Sequence, residues 1–408
     1  MRISNLNVEI NFLINYFKSN SFFVSKSFQS LIFSKAFAQY SLHIRVLIFS
    51  WLAYEITQKD IWVGIVLGAG SSPIFITSFL GSFLSEKYNI NKLLFTSYLL
   101  FFLTLVLMLF VDYDNIYILL ILSITFGAIP GIWQTVFQTI LVNTNSKKDL
   151  SKINSYYYLI IFFGEMMNPI IFAYLIASFS IRYVIIFASI YLIFSMFLVL
   201  FHPKDLQEKR KKNSSKYVSY YFILKNKPVV FWAVIIASIQ SIFGVTLFVV
   251  LPQYANLLEV GATGFGVMNA SVGAGMFFGS LLSIFTGVYK SRITIWILSS
   301  MGWDIGQLIF AFSENYFFSI ICLFIMGISG AYWMVAATLV FQDQTEKFDR
   351  NKIMGLFSLV LSIFFIGWFV GGVISDLSNA KIAIIISAVS SYPIFIIGLL
   401  YSKKLREV

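Results

Sequence analysis

Three charged residues stand deep inside apolar runs of this 408-residue chain: Arg45, Glu165 and Asp304. At 1.5 Å per helical residue they lie about 21, 20 and 17 Å from the Lys/Arg-rich ends of their runs. Ionisable groups at such depth in a bilayer are costly and mark ion or substrate paths. Arg45 and Glu165, equal in depth and opposite in sign, are expected to form an ion pair. That pair is either static and structural, or it opens to let Glu165 load a proton. Asp304 has no matching cation in its own half and is expected to be neutral, because desolvation disfavours its charged form. These three are the candidates for proton coupling.

Uncharged polar residues sketch a path beside them. Lys35, Gln39, His43, Ser50 and Tyr54 fall within about 100° of one another on a helix, forming one polar stripe. Lys35 is expected to snorkel to the membrane surface. Gln134 and Gln138 sit four apart on a second helix, Gln240 and Ser241 on a third, Tyr332 and Trp333 on a fourth. With Gln39, His43 and Tyr54 they are candidates to line a substrate cavity, although buried amides can also simply bond neighbouring helices. There is no Gly-x4-Gly-Lys-Ser/Thr loop for ATP and no His-Glu-x-x-His. Two histidines and the single Cys322 argue against a metal site or a disulfide framework, and no cofactor is expected.

The elements that carry these residues follow from composition. The chain is 59% hydrophobic and 12% charged, with a mean hydropathy of +0.84. That is about half the charge of a soluble domain. A ruler of about 20 apolar residues per span predicts twelve transmembrane helices, over 31–54, 61–84, 92–111, 116–141, 152–177, 181–201, 229–251, 264–288, 293–312, 316–341, 353–376 and 380–402. The segment 202–228, with the basic run Lys209 to Lys212, separates two six-helix bundles, 31–201 and 229–402. A leader (1–30) without a signal-peptide pattern and a short tail (403–408) complete the chain.

With the N-terminus placed inside, 24 of the 29 Lys and Arg residues fall in cytoplasmic segments and three, Lys59, Arg182 and Lys381, in external loops. The positive-inside rule then sets both termini in the cytoplasm. It also explains the net charge of +11 as topology, not as a nucleic-acid surface.

The two halves read as copies. Phe79-Leu-Gly-Ser-Phe-Leu-Ser85 matches Phe277-Phe-Gly-Ser-Leu-Leu-Ser283, Gly127 and Trp133 recur as Gly327 and Trp333, and Gly164 pairs with Gly367. Both copies begin on the same side, so they are parallel repeats. Glycines spaced by four, Gly64/Gly68, Gly275/Gly279 and Gly367/Gly371, are expected to mark either a moving seam between the halves or ordinary close helix packing.

Twelve spans, a parallel 6+6 repeat and a basic central loop resemble the major facilitator superfamily. Trp51-Leu-Ala-Tyr-Glu-Ile-Thr57, Leu251-Pro-Gln-Tyr-Ala255 with Gly261-Ala-Thr-Gly-Phe-Gly266, and Arg350-Asn-Lys-Ile-Met-Gly355 are similar to the branch holding enterobactin exporters and macrolide-type efflux pumps. The resemblance implies that helices 1, 4, 7 and 10 line a central cavity, with helix 9 outside it. It makes Glu86, Lys87, Lys92, Arg350 and Lys352 candidates for the gating loops. Here the loop after helix two reads Ser82-Phe-Leu-Ser-Glu-Lys-Tyr-Asn-Ile-Asn-Lys92, and the antiporter Gly-Pro of helix five is Asn168-Pro169.

The expected function is proton-coupled efflux of a small drug- or siderophore-like molecule by a monomer in the cytoplasmic membrane, the alternative a facilitator-type or ion-coupled nutrient importer. No cluster of catalytic residues suggests an enzyme. The orientation is tested by cysteine labelling in intact cells: a cysteine in the 202–228 loop should resist an impermeant thiol reagent, and one at Asn115 should react. The reverse pattern overturns the topology.

Overall fold

The computed structural model describes residues 26–144, 147–202, 220–286, 292–345, 350–390 and 392–393. The leader up to residue 25, the basic run Lys209–Lys212 and the tail 403–408 lie outside the described residues. The chain folds into helices: α1 Lys26–Thr57, α2 Asp60–Lys87, α3 Ile90–Met108, and α4 Ile116–Gly127 resumed as Pro130–Thr144. Then come α5 Lys147–Ser178, α6 Ile181–Val199, and α7 Pro228–Phe243 resumed as Thr246–Leu257. They continue with α8 Gly261–Thr286, α9 Arg292–Ala311, α10 Tyr316–Asp343, α11 Arg350–Ser362 resumed as Phe364–Leu377, and α12, described over Ala380–Ser390. A short helix, Tyr220–Asn226, precedes α7.

Ten of these stretches are long and apolar enough to cross a membrane among the described residues; α1, with its polar stripe, and the described part of α12 complete the twelve. Several helices overrun the predicted spans, α1 starting at Lys26 and α5 at Lys147, because a helix continues past the hydrocarbon into polar turns. α4 breaks ahead of Pro130, which lacks an N–H and crowds the preceding turn. Asparagine starts four helices: Asn89, Asn115, Asn315 and Asn379 each accept backbone N–H bonds through Oδ1. Beyond α6, His202 Nδ1 lies 3.3 Å from Asn91 Oδ1 at the start of α3, and burial pushes its imidazole down to about 4.

The repeat is visible in which backbones touch. A Cβ at Gly127 would overlap the Gly70 carbonyl, packing α4 on α2, and one at Gly327 would overlap that of Val272, packing α10 on α8. Gly164 of α5 lies under the Tyr40 ring of α1, and Gly367 of α11 under the Ile242 carbonyl of α7. Both glycine pairs matched in sequence therefore sit on matching pairs of helices.

The seam between halves runs along α2 with α11 and α5 with α8. Gly64 and Gly68 abut Phe365, Trp368 and Gly372; Gly266 and Gly273 abut Pro169, Ala173 and the Glu165 backbone. Gly275 and Gly279 instead pack on α10, and Gly367 and Gly371 on α7, inside one half. Four-residue spacing signals close approach but does not say to which helix, so only Gly64/Gly68 of the three expected pairs belongs to the seam.

The α2–α11 contact falls at the end of the bundle that is poor in Lys and Arg. There Ser375 Oγ donates to Asp60 Oδ2 (2.5 Å) and Asn256 Nδ2 to Gln58 Oε1 (3.4 Å). The rings of Trp51 and Phe265 meet 5.7 Å apart. This end is sealed.

Gly127→Val should lower the melting temperature of the detergent-purified protein, since its methyls must displace backbone; overpacking of this kind costs about 1–3 kcal/mol or more. Gly355→Ala, whose added Cβ meets only the Tyr220 hydroxyl at 3.4 Å, should leave it unchanged or raise it slightly.

Candidate functional site: a cavity between the halves

Between the halves, on the Lys/Arg-rich side of the seal, lies a cavity of about 460 Å³. On its N-terminal wall α1 contributes Lys35, Gln39, His43 and Arg45, α4 contributes Gln134, and α5 contributes Tyr157, Tyr158 and Glu165. The opposite wall holds Gln240 and Ser241 of α7, Ser300, Trp303 and Asp304 of α9, Trp333 of α10 and Trp368 of α11.

Lys35, Gln39 and His43 share a face because each four-residue step turns a helix by about 40°. Lys35 does not snorkel: it is 3% exposed, and its Nζ donates to Gln39 Oε1 at 2.9 Å inside the cavity. Farther along the stripe, Ser50 donates to Leu47 O and Tyr54 is buried. Neither lines the cavity, because the seal closes around that part of α1. Tyr332 packs into the hydrophobic cluster of the C-terminal half instead of facing the cavity. The Gln138 side chain lies outside the described residues.

The expected Arg45–Glu165 ion pair is absent among the described residues, although both side chains line the cavity. Arg45 turns toward α2, its Nη1 donating to Gly70 O at 3.3 Å. The Glu165 backbone is pressed against Gly273 of α8. Equal depth was legible; the direction each residue faces around its helix was not. Asp304 is buried and is not without a partner, contrary to expectation. Its helix α9 lines the cavity, with the Trp303 ring seated over Gly330 of α10.

Some polar groups here are spoken for and others are not. Trp333 Nε1 donates to Gln240 Oε1 (2.6 Å), Gln240 Nε2 to Ser300 Oγ (2.7 Å), and Ser300 Oγ to Trp296 O (2.8 Å). This relay ties α10, α7 and α9 and fixes the orientation of the Gln240 amide. Asn168 is fully buried, donating to Tyr40 O (3.4 Å) and accepting from Tyr191 OH (3.0 Å), so it pins α5 to α1 and α6. By contrast, the side chains of His43, Gln134 and Glu165 make no hydrogen bond to any described residue.

At the Lys/Arg-rich end, Lys87 is exposed with its Nζ 4.3 Å from the Phe83 ring centre, Lys92 is exposed in the first turn of α3, and Lys352 lies 5.4 Å from the Tyr220 ring centre. The side chains of Glu86 and Arg350 lie outside the described residues. An ion pair that sequence reasoning missed, Arg292 with Asp343, ties α9 to α10 here. Residues 51 positions apart on different helices leave no local signal. Ser300 and Trp303 stand on helix 9, which the resemblance places outside the cavity; the structure brings that helix to the cavity wall.

Gln240→Leu removes the acceptor of the Trp333 indole and should destabilise the protein by about 1–3 kcal/mol, read as a lower melting temperature. Adding Trp333→Phe, which removes the stranded donor, should recover part of the loss.

A family model described as Major Facilitator Superfamily matches residues 21–302. No curated protein sequence matches the chain. Among solved structures, the fold is similar to the xylose transporter XylE from E. coli in a partially occluded inward-open conformation, with a TM-score of 0.72 and 13% identity over 94% of this chain and 98% of that one. It is also similar to a point mutant of the nucleoside transporter NupG, with a TM-score of 0.69 and 12% identity over 91% of this chain and 98% of the other. At such identities the likeness is one of fold. By the extent of the family match and by the twelve-helix, two-bundle architecture, this chain belongs to the major facilitator superfamily.

Proposed function

We propose that this protein is a secondary transporter that exports a small drug- or siderophore-like molecule across the cytoplasmic membrane, in exchange for protons, by alternating access. The observation that carries the reading is the cavity itself. Both halves line it, one end is sealed by glycine-smoothed contacts, and a carboxylate at mid-depth, Glu165, makes no hydrogen bond to any described residue. A group of that kind can take up and release a proton as the bundles rock, and it stands where such groups carry coupling. The branch motifs at Trp51–Thr57 and Arg350–Gly355 support the outward direction.

The Lys/Arg bias supports both termini in the cytoplasm, which makes the sealed end external and this conformation inward-facing. The bundles 31–201 and 229–402 would then move as units about the 202–228 linker, in a protein that acts as a monomer. One observation favours the importer instead. In place of the antiporter Gly-Pro stands Asn168-Pro169, and Asn168 is committed to pinning α5.

The test is flux in proteoliposomes with an imposed pH gradient, over a panel of amphipathic compounds, iron chelators, sugars and nucleosides. Gradient-driven movement against the solute gradient in the export direction is expected. Glu165→Gln should abolish accumulation while sparing exchange of solute down its own gradient. Full pH-driven transport in the Glu165→Gln, Asp304→Asn double mutant would remove both carboxylates from the coupling. Accumulation only in the import direction would reverse the reading.

A further inference from the structure

We infer that the molecule bound in this cavity carries a carboxylate and that Arg45 is the residue that holds it. The inference rests on reading the cavity as the transport site and is independent of the direction or coupling of transport.

Arg45 is 2% exposed and lines the cavity near mid-depth. A guanidinium is permanently charged and offers five N–H donors in a planar fork. Among the described residues this one meets a single acceptor, Gly70 O, at the long distance of 3.3 Å, and its Nε has no partner. A buried ion left this way is expensive unless a counter-charge and further hydrogen bonds arrive. Among the described residues no acidic group pairs with it. Glu165 shares the cavity but does not pair with Arg45, its backbone held on α8 by Gly273. Asp304 belongs to the opposite half and has contacts of its own.

The surroundings favour an anion as well. The same helix presents Lys35 to the cavity, and the buried His43 Nδ1 is unpartnered. A carboxylate can also shed its charge by taking a proton, as Glu165 can, whereas the guanidinium cannot. With Glu165 protonated, the fixed charge of the N-terminal wall is purely cationic. A carboxylate matches the guanidinium fork in bidentate fashion, where a neutral amide cannot. Trp303, Trp333 and Trp368 on the facing wall would receive an apolar or aromatic body. The ligand class is therefore an organic acid with a ring or short apolar body.

The three tryptophans supply the readout. Purified full-length protein would be titrated with matched pairs of acid and amide, salicylate against salicylamide and 1-naphthoate against 1-naphthamide, following tryptophan fluorescence. The acids should quench saturably and bind about tenfold or more tightly than their amides. Arg45→Gln should erase that difference, and Arg45→Lys should weaken the acids while leaving the amides unchanged. If Arg45→Gln does not fold by thermal melting, the lysine variant carries the test. Equal binding of acid and amide, preference for the amide, or no saturable binding of either acid overturns the inference. A protein that moves neutral or cationic solutes in vesicles yet ignores the acids keeps the transport reading and loses this one. A protein that binds the acids through Arg45 yet moves nothing keeps the site and loses the transport reading.

Discussion

Inside a bilayer the lipid tails are as apolar as the helices, so burying leucine against leucine gains little, and helices hold together by how closely their backbones approach. That constraint organises this protein. Gly127 against Gly70 and Gly327 against Val272 and Gly275 bring α4 onto α2 and α10 onto α8 with no side chain between them. Gly367 does the same for α11 on α7, while Gly164 makes room on α5 for the Tyr40 ring of α1. A substituent at any of the four must displace backbone or a ring. The fold is thus fixed at a few positions where nothing larger than hydrogen fits, while the lipid-facing residues, many of them exposed Phe, Leu and Ile, need only be apolar.

The same device, used between the bundles, gives a different result. At the seam, Gly64 and Gly68 meet Gly372 and the α11 backbone, and Gly266 and Gly273 meet α5, so these surfaces are smooth. Ring contacts also cross between the halves: Phe163 with Phe277, Phe172 with Phe265 and Trp51 with Phe265. The polar links there include Ser375 with Asp60, Asn256 with Gln58, and Tyr158 with Thr338. Within a bundle, by contrast, Asn168 joins three helices and the Trp333–Gln240–Ser300 relay joins three more. Among the described residues, the polar ties that join three helices therefore lie inside a half, and the links named across the seam join two helices at a time.

Span existence and the duplication were legible in the sequence because both rest on one-dimensional quantities, hydropathy over about 20 residues and a repeat offset near half the chain. The structure adds another match that could have been read the same way: Asn115 and Asn315, the N-caps of α4 and α10, lie 200 residues apart, as do Gly127 and Gly327. Depth was legible too, since Arg45 and Glu165 do reach the same cavity. Rotation about the helix axis was not. It sent Arg45 toward Gly70 instead of Glu165, brought Asp304 of α9 to the cavity, and turned Tyr332 into the apolar cluster of its half. Periodicity gives the angles between residues on one helix, but the angle of that helix toward its neighbours depends on which glycines meet, a pairwise fact absent from either helix alone.

The halves share a scaffold and differ in chemistry, and the division falls along the packing constraint. Trp133 and Trp333 are counterparts, yet Trp133 is fully buried against Tyr98 and Phe101, whereas Trp333 reaches the cavity and bonds Gln240. One position on, Gln134 faces the cavity from the first half and Met334 from the second. Glu165 follows Gly164 as Trp368 follows Gly367: the glycines keep their role in both copies, while the next residue is a carboxylate in one and an indole in the other, both at the cavity. Positions clamped by backbone contact had no room to diverge after duplication. Positions facing the cavity lack that clamp, and there the first half carries charged and amide groups while the second carries tryptophans and the Trp333–Gln240–Ser300 relay. Across the cavity the charged and amide groups of α1 thus face the indoles of α9, α10 and α11.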